Sequence, residues 1–268
     1  MTQPRATVSA LWRHPVKGFT PEPVTEAWLN EGDFFPFDRR FALEVGQSGF
    51  DPDNPVTIPK MRFAVLARFP AVARLHTRYD EFEDVLEVAD GDEVRRFAMT
   101  ADAGRHALAR HVETVLAEHE DYDPVAAPLN VLTAPGYDEV QRHYRFTDSG
   151  KGFVSFLNLN SVRDLSRRMA MDLDPLRLRA NVWLDGLEPF EDHDWVGRRL
   201  RAGEDGPEFE VLKPIVRCVA THVNPETAER DADVCTGLWE GYRHRDCGIY
   251  ARVVAGGPIR PGDVLHLA

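Results

Sequence analysis

Val8-Ser9-Ala10-Leu11-Trp12-Arg13-His14, followed by Pro15-Val16-Lys17-Gly18, is where the fold becomes readable. The first seven residues alternate apolar and polar side chains, the period of a half-buried strand, and Pro15 with Gly18 breaks that strand into a turn. The same pattern extends outward. Val24 to Leu29, Arg40 to Val45, Val65 to Leu75 and Val85 to Val88 predict further short strands between Gly, Pro and Asp clusters. Strands this short and this closely spaced point to a barrel-like or sandwich-like sheet. Thr100-Ala101-Asp102-Ala103 opens a predicted helix to about His119, with Thr100 as N-cap and Ala103, Ala107, Leu108, Val112, Val115 and Leu116 on one apolar face. The acidic segment Glu120 to Pro128 has no periodicity and predicts a boundary. The expected modules are residues 1–122 and 123–268.

A second β-rich half follows. Val154 to Asn158 predicts a strand, Asn160 caps a helix through Met169, and Arg179 to Leu184 returns to strand. Cys247 to Val254, Gly256-Gly257 and Ile259 to Leu265 read as two strands around a tight turn. The expected fold class is β-rich α+β, an N-terminal β-barrel-like module followed by a second β-barrel domain with a few helices.

Composition narrows the function classes. The 268 residues, 43% of them hydrophobic, suffice for a sizeable core. Three cysteines, at 218, 235 and 247, form no CxxC pair and no even set, which argues against a disulfide framework or a structural zinc site. A net charge of −12 disfavours nucleic acid and anionic membranes as partners. The N-terminus has no leader pattern and no apolar stretch reaches the roughly 18 residues needed to cross a bilayer, so a soluble, cytoplasmic protein is expected. No P-loop or G-x-G-x-x-G supports nucleotide binding. Of 32 basic side chains only four are Lys, at 17, 60, 151 and 213. Lys17 and Lys60 fall in segments with the character of anion sites.

One thiol stands apart from the other two. In Val211-Leu212-Lys213-Pro214-Ile215-Val216-Arg217-Cys218-Val219, apolar strand-like residues lead into Pro214 and leave after Cys218, which sets a thiol beside the Arg217 guanidinium at a turn. A neighbouring cation favours the thiolate, the form that attacks electrophiles and ligates soft metals. Plain packing is the competing reading, because free Cys is among the most buried residue types.

The order His14-Pro15-Val16-Lys17-Gly18, Phe37-Asp38-Arg39-Arg40-Phe41, Leu178-Arg179-Ala180-Asn181-Val182, Pro189-Phe190-Glu191-Asp192-His193-Asp194-Trp195, Arg217-Cys218 and Ile259-Arg260-Pro261-Gly262-Asp263 resembles the MOSC-domain family. That family is named for the C-terminal domain of molybdenum cofactor sulfurases. The N-terminal half is similar to the β-barrel module that precedes the domain in many members, so the resemblance covers nearly the whole chain. It implies a molybdenum–pterin cofactor, molybdopterin. In the amidoxime-reducing branch a Cys in the Arg-Cys motif ligates molybdenum, and Cys218, preceded by Arg217, holds the matching position. The pterin phosphate wants cations and backbone N–H donors. The resemblance assigns that task to Lys17 and Gly18 of the first turn, Arg39 of the Asp-Arg motif, and Arg179 and Asn181 of the Arg-x-Asn motif. These come from both halves of the chain, which implies a cleft between them.

Each position has a local alternative. Asp38-Arg39-Arg40 also reads as a surface charge cluster, Arg179 as a partner of Asp185 or Glu188, and Asn181 as the filler of a bent strand edge. Asp192 to Trp195 also reads as a helix cap or a loop with one buried aromatic, and Cys247 as packing. Gly18 stands where the amidoxime-reducing relatives have Ser, Ala180 replaces a common Pro, and Ile215-Val216 replace polar or sulfur residues. The substrate pocket is therefore expected to differ from that branch. The length leaves no room for the aminotransferase-like region of full sulfurases, so no pyridoxal phosphate site is expected. Two functions follow from the resemblance. One is a molybdenum-dependent reductase of small N-hydroxylated or related N–O or S–O substrates, fed by a separate electron-donor protein because the chain has no haem, flavin or iron–sulfur signature. The other is a carrier of cofactor or sulfur with a persulfide on Cys218.

Overall fold

The computed structural model describes residues 5–135, 144–148 and 152–267. The first half runs through β1 (Arg5–Arg13), β2 (Glu22–Val24), β3 (Ala27–Leu29) and β4 (Phe41–Val45). The meander β5 (His76–Asp80), β6 (Val85–Asp90) and β7 (Glu93–Ala98) follows, then helix α1 (Asp102–His119) and β8 (Leu129–Thr133). The second half has β9 (Val154–Asn158), α2 (Leu159–Met169), β10 (Val182–Asp185), β11 (Arg199–Ala202) and β12 (Glu208–Val216). It ends with α3 (Val234–Tyr242), β13 (Asp246–Ala255), β14 (Gly257–Ile259) and β15 (Val264–Leu267).

Seven strands close a barrel in the order β10-β9-β13-β12-β11-β15-β1, with β1 pairing back onto β10 and β2 attached beyond it. Only β9 and β10 run parallel, and α2 is the crossover that parallel neighbours require. The sequence pattern of β1 shows how the barrel fills. Ala6 and Val8 point inward; a β-bulge between Val8 and Ala10 then inserts one residue and moves the inward phase to Leu11. Phe156 and Phe209 meet edge-to-face at 5.0 Å in the same core, among Val154, Val182, Val211 and Ile249.

A second core forms beside the barrel. There α1 lays Leu108, Val112, Val115 and Leu116 against Phe41, Leu43, Leu86 and Val88. The halves of the chain interleave in space: β1 and β2 join the sheet of the second half, β3 pairs with β14, and β8 pairs with β4. None of the described helices is long and apolar enough to cross a membrane.

The β-rich class is as expected, and several local expectations are corrected. Val65 to Leu75 is not a strand. Arg68 and Phe69 both donate backbone N–H groups to the Val65 carbonyl at 2.8 Å, and Pro70–Arg74 forms a 3-10 turn. Pro70 has no N–H to give a ladder, and Ala71, Val72 and Ala73 are all buried, so the run lacks a solvent face. The expected strand from Val24 to Leu29 splits because β2 pairs with β1 and β3 with β14. Ile259 to Leu265 likewise splits around Gly262, whose φ of 97° makes a turn. Helix α1 starts from Ala101 without a side-chain cap, not from Thr100, and Ala103 is exposed. The cap of α2 is Asn158, whose side chain accepts from the Asn160 N–H; the Asn160 amide instead donates to the Leu187 carbonyl at 2.6 Å.

Candidate functional site

An open cavity of about 160 Å³ lies where the outer face of the barrel meets the second body. Lys17, Gly18, Arg39, Arg179, Asn181, Arg217 and Cys218 all line it. The first three arrive on turns after β1 and before β4, Arg179 and Asn181 lead into β10, and Arg217 and Cys218 follow β12.

Cys218 is half-buried in extended backbone ahead of the 3-10 turn Val219–His222, and its carbonyl accepts from the Thr221 N–H at 2.9 Å and hydroxyl at 2.8 Å. Its thiol meets Lys60, whose Nζ lies 3.1 Å from Sγ. Burial works against the charge on Lys60, yet the hydrogen bond and charge of Cys218, with Asp148 and Tyr250 behind it, leave its pKa above the ordinary lysine value. The guanidinium next to Cys218 in sequence goes elsewhere. Arg217 is buried and donates to the carbonyls of Cys247 and of Leu178, the latter at 2.6 Å. Burial lowers its pKa, with no carboxylate hydrogen-bonded to it.

The other cations converge on the opposite wall. Lys17 Nζ donates to Asp148 Oδ1 at 2.6 Å and to the Phe146 carbonyl at 2.9 Å. Burial lowers the Lys17 pKa, and Asp148 opposes that shift. Arg39 holds φ at 47°; its guanidinium pairs with Asp38, reaches His14 Nδ1 at 3.3 Å and donates to the Arg179 carbonyl at 3.1 Å. Burial works to raise the Asp38 pKa, but Arg39 and the bond with His14 hold it well below the carboxylate range. Burial and the Arg39 charge push His14 down to about 3, so its imidazole is neutral. Arg179 donates to the Phe19 carbonyl at 2.8 Å and forms no ion pair among the described residues. Asp185, its expected alternative partner, binds Arg163. Burial, with the Arg39 charge, lowers the Arg179 pKa to about 9.

Two positions serve the backbone. Asn181 accepts from Ser155 Oγ at 2.7 Å and N–H at 3.3 Å and donates to the Trp12 carbonyl at 3.2 Å, stitching the seam where β1 closes the barrel. Gly18 has φ of 95°, and a Cβ there would stand 2.8 Å from the Ala64 carbonyl oxygen and 2.9 Å from Val65 Cα. No side chain fits that gap, the Ser of the relatives included. Cys247 is fully buried among Leu157, Leu165 and Leu238, and burial raises its thiol to about 12. Cys235, at the start of α3, is half-buried and not part of the cavity wall.

Three lining residues carry no motif in the sequence. Lys60 is marked by the scarcity of Lys in an Arg-rich chain and by its segment's anion-site character, but nothing there places it beside Cys218. Asp148 gave no signal. Tyr250 follows from strand alternation, since Ile249 and Ala251 on either side fill the barrel.

Residues 143–266 match the family model described as the MOSC domain, and residues 5–127 match that of the MOSC N-terminal beta barrel domain. Among solved structures, the YUAD protein of Bacillus subtilis is similar with 12% identity, covering 98% of this chain and 95% of that one, at a TM-score of 0.44. YiiM from Geobacillus stearothermophilus shares 20% identity over 43% of this chain and 53% of its own, at a TM-score of 0.34. YiiM from Escherichia coli shares 16% over the same shares, at 0.33. No curated protein matches the chain.

Proposed function

As the chain belongs to the MOSC-domain family, with a MOSC N-terminal beta barrel domain ahead of the MOSC domain, we propose that its cavity holds the molybdenum cofactor. We further propose that the protein reduces small N-hydroxylated or related N–O or S–O substrates, with Cys218 as the metal ligand. The family is linked to molybdenum cofactor binding. The observation that carries the reading is the charge of the cavity. Among the described residues, Lys17, Arg39, Lys60, Arg177, Arg179 and Arg217 line it against only Asp38 and Asp148, in a chain of net charge −12, around one half-buried thiol. Gathering cations out of water is unfavourable, as the lowered pKa of Arg179 records, and an anion between them relieves both desolvation and mutual repulsion.

The donor set fits the group. Among the described residues no three His, Cys, Asp or Glu side chains converge to hold a bare metal ion. A single thiolate beside several cations suits a metal that brings sulfur donors and a phosphate of its own. Cys218 would hold the metal, and Lys17, Arg39 and Arg179 the phosphate. When bound, the cofactor would supply two-electron redox chemistry. The chain supplies position: Asp38 and the Arg179 carbonyl fix the Arg39 fork, and Lys60 holds the Cys218 sulfur at the wall. Electrons would come from a separate donor protein.

The test is elemental and pterin analysis of protein from a molybdenum-sufficient host, with reduced viologen driving reduction of an amidoxime. The wild type is expected to carry both molybdenum and pterin, and Cys218→Ser to keep its circular dichroism while losing metal. Wild-type protein free of both would overturn the cofactor reading. Loaded protein that turns over no N–O or S–O substrate would overturn the reductase and leave the carrier.

A further inference from the structure

Resting on the reductase reading, we propose that the Tyr250 hydroxyl gives a proton to the substrate oxygen that leaves as water. Tyr250 stands on β13 opposite Ser155 of β9 and Lys213 of β12. Its neighbours Ile249 and Ala251 are fully buried in the barrel, so strand alternation turns the phenol to the outer face and into the cavity wall. The ring rests against Phe153 at 5.5 Å between centroids.

Its hydroxyl is free where its counterparts are not. Tyr79 bonds Asp84, Tyr122 the Ala127 carbonyl, Tyr144 the Val56 carbonyl and Tyr242 Asp164. Tyr250 Oη alone among the described tyrosines has no hydrogen-bond partner in the described residues. The nearby hydroxyls of Ser155 and Thr221 are occupied, by Asn181 and by the Cys218 carbonyl. Tyr250 is half-buried and lines the cavity, so this hydroxyl is accessible to a ligand there. The charges facing Tyr250 are Arg217, Arg39, Asp148 and Asp38, with Lys60 across the cavity and Lys213 6.0 Å from the ring centroid.

The chemistry needs one such donor. Reduction of R–NH–OH consumes two electrons and two protons and yields R–NH2 and water. The electrons come from an external reductant such as reduced viologen. As the N–O bond breaks, its electron pair leaves with oxygen, which takes the proton of Tyr250; nitrogen takes the two electrons of the reductant and the second proton from solvent. A phenol, ordinarily near pKa 10, is protonated at neutral pH and far more acidic than water at about 15.7. Burial keeps the Tyr250 proton on in the resting state, while Arg217 and Arg39 favour the phenolate formed in the reaction. The phenolate regains its proton from solvent at the cavity mouth.

The experiment uses the loaded enzyme and Tyr250→Phe, measuring molybdenum and pterin content, thermal unfolding, and kcat and KM from pH 6 to 8 with reduced viologen and an amidoxime. We expect unchanged cofactor content and unfolding temperature, KM within about threefold, and kcat lower by about a hundredfold or more. The variant's kcat should fall about tenfold per pH unit, because solvent protons replace the phenol, while the wild type stays nearly flat. A loaded variant with wild-type kcat would overturn the proposal. So would a loss of molybdenum that accounts for all the lost activity, since Tyr250 would then position the cofactor. A wild type without cofactor would sink the reductase reading first, before any variant is compared.

Discussion

Replacing Gly18 by Ser, the residue of the amidoxime-reducing relatives, should weaken this protein. Two costs add. At φ of 95° a side chain enters left-handed backbone, for roughly 1–2 kcal/mol. The new Cβ also meets the Ala64 carbonyl oxygen at 2.8 Å and Val65 Cα at 2.9 Å. Neither can swing aside, because they are backbone. The Ala64 N–H is bonded to the Leu43 carbonyl at 2.8 Å, and the Val65 carbonyl takes two further bonds. Such overpacking costs about 1–3 kcal/mol, so the total is about 2–5 kcal/mol. At roughly 2–4 °C per kcal/mol for a chain near this size, the unfolding temperature should drop by about 4–20 °C. Because Val65, Leu66 and Ala67 line the cavity, pterin retention should fall as well. Calorimetry of apo wild type, Gly18→Ser and Gly18→Ala measures the cost, and both variants should respond alike. An unfolding temperature within about 2 °C of wild type, or tighter pterin binding by the Ser variant, would refute the steric argument.

Three further outcomes are expected. Arg179 has no ion-pair partner to orphan, so Arg179→Ala should leave apo stability nearly unchanged while weakening cofactor retention about ten- to a hundredfold, from a charge-assisted contact worth roughly 1.5–3 kcal/mol. Arg39→Ala should do both kinds of harm, since it strands the buried Asp38 carboxylate at about 3–5 kcal/mol; pterin assay and urea unfolding of the two apo-proteins separate the cases. Asp192 supplies a pH test. Burial raises its pKa to about 6, with Asn158 and Arg217 opposing, against an ordinary value near 3.9. Between those values the folded state keeps a proton that the unfolded state has released, so stability falls as pH rises, by about 3 kcal/mol at most. Asp192→Asn should match wild type in urea at pH 4 and exceed it at pH 7.5; equal midpoints at pH 7.5 would remove Asp192 from the account.

Local chemistry was legible and long-range approach was not. Turn and motif residues such as Lys17, Arg39 and Arg179 line one cavity because their positions are set within a few residues by Pro15, by the left-handed φ at 39 and 179, and by the start of β10. The thiol's cation was misplaced for a geometric reason. Adjacent residues leaving a strand point to opposite sides, so Arg217 turns inward to the carbonyls of Cys247 and Leu178. The partner of Cys218 is Lys60, which is 158 positions away in sequence. No periodicity reports such a contact. Asn181 lines the cavity as expected, while its side-chain bonds go to the barrel seam, the strand-edge role its sequence position also offered. The run from Val65 misled because its apolar residues are buried on all sides, which a strand and a compact turn share.

The barrel is closed by a strand far in sequence from the others it joins. β1 pairs with β10 and with β15, and Arg5 lies opposite His266, while every other barrel strand comes after Gly152. During synthesis the ring therefore cannot close on the β15 side of β1 until β15 has been made. Contacts this distant in sequence carry a large loop-closure entropy and make for slow folding. Meanwhile the edges of β11 and β1 that β15 will join stay open to pairing with another copy. The same geometry that hides both edges in the finished molecule makes its birth the moment of greatest exposure to aggregation, and ties its yield in the cell to how fast β15 finds β1.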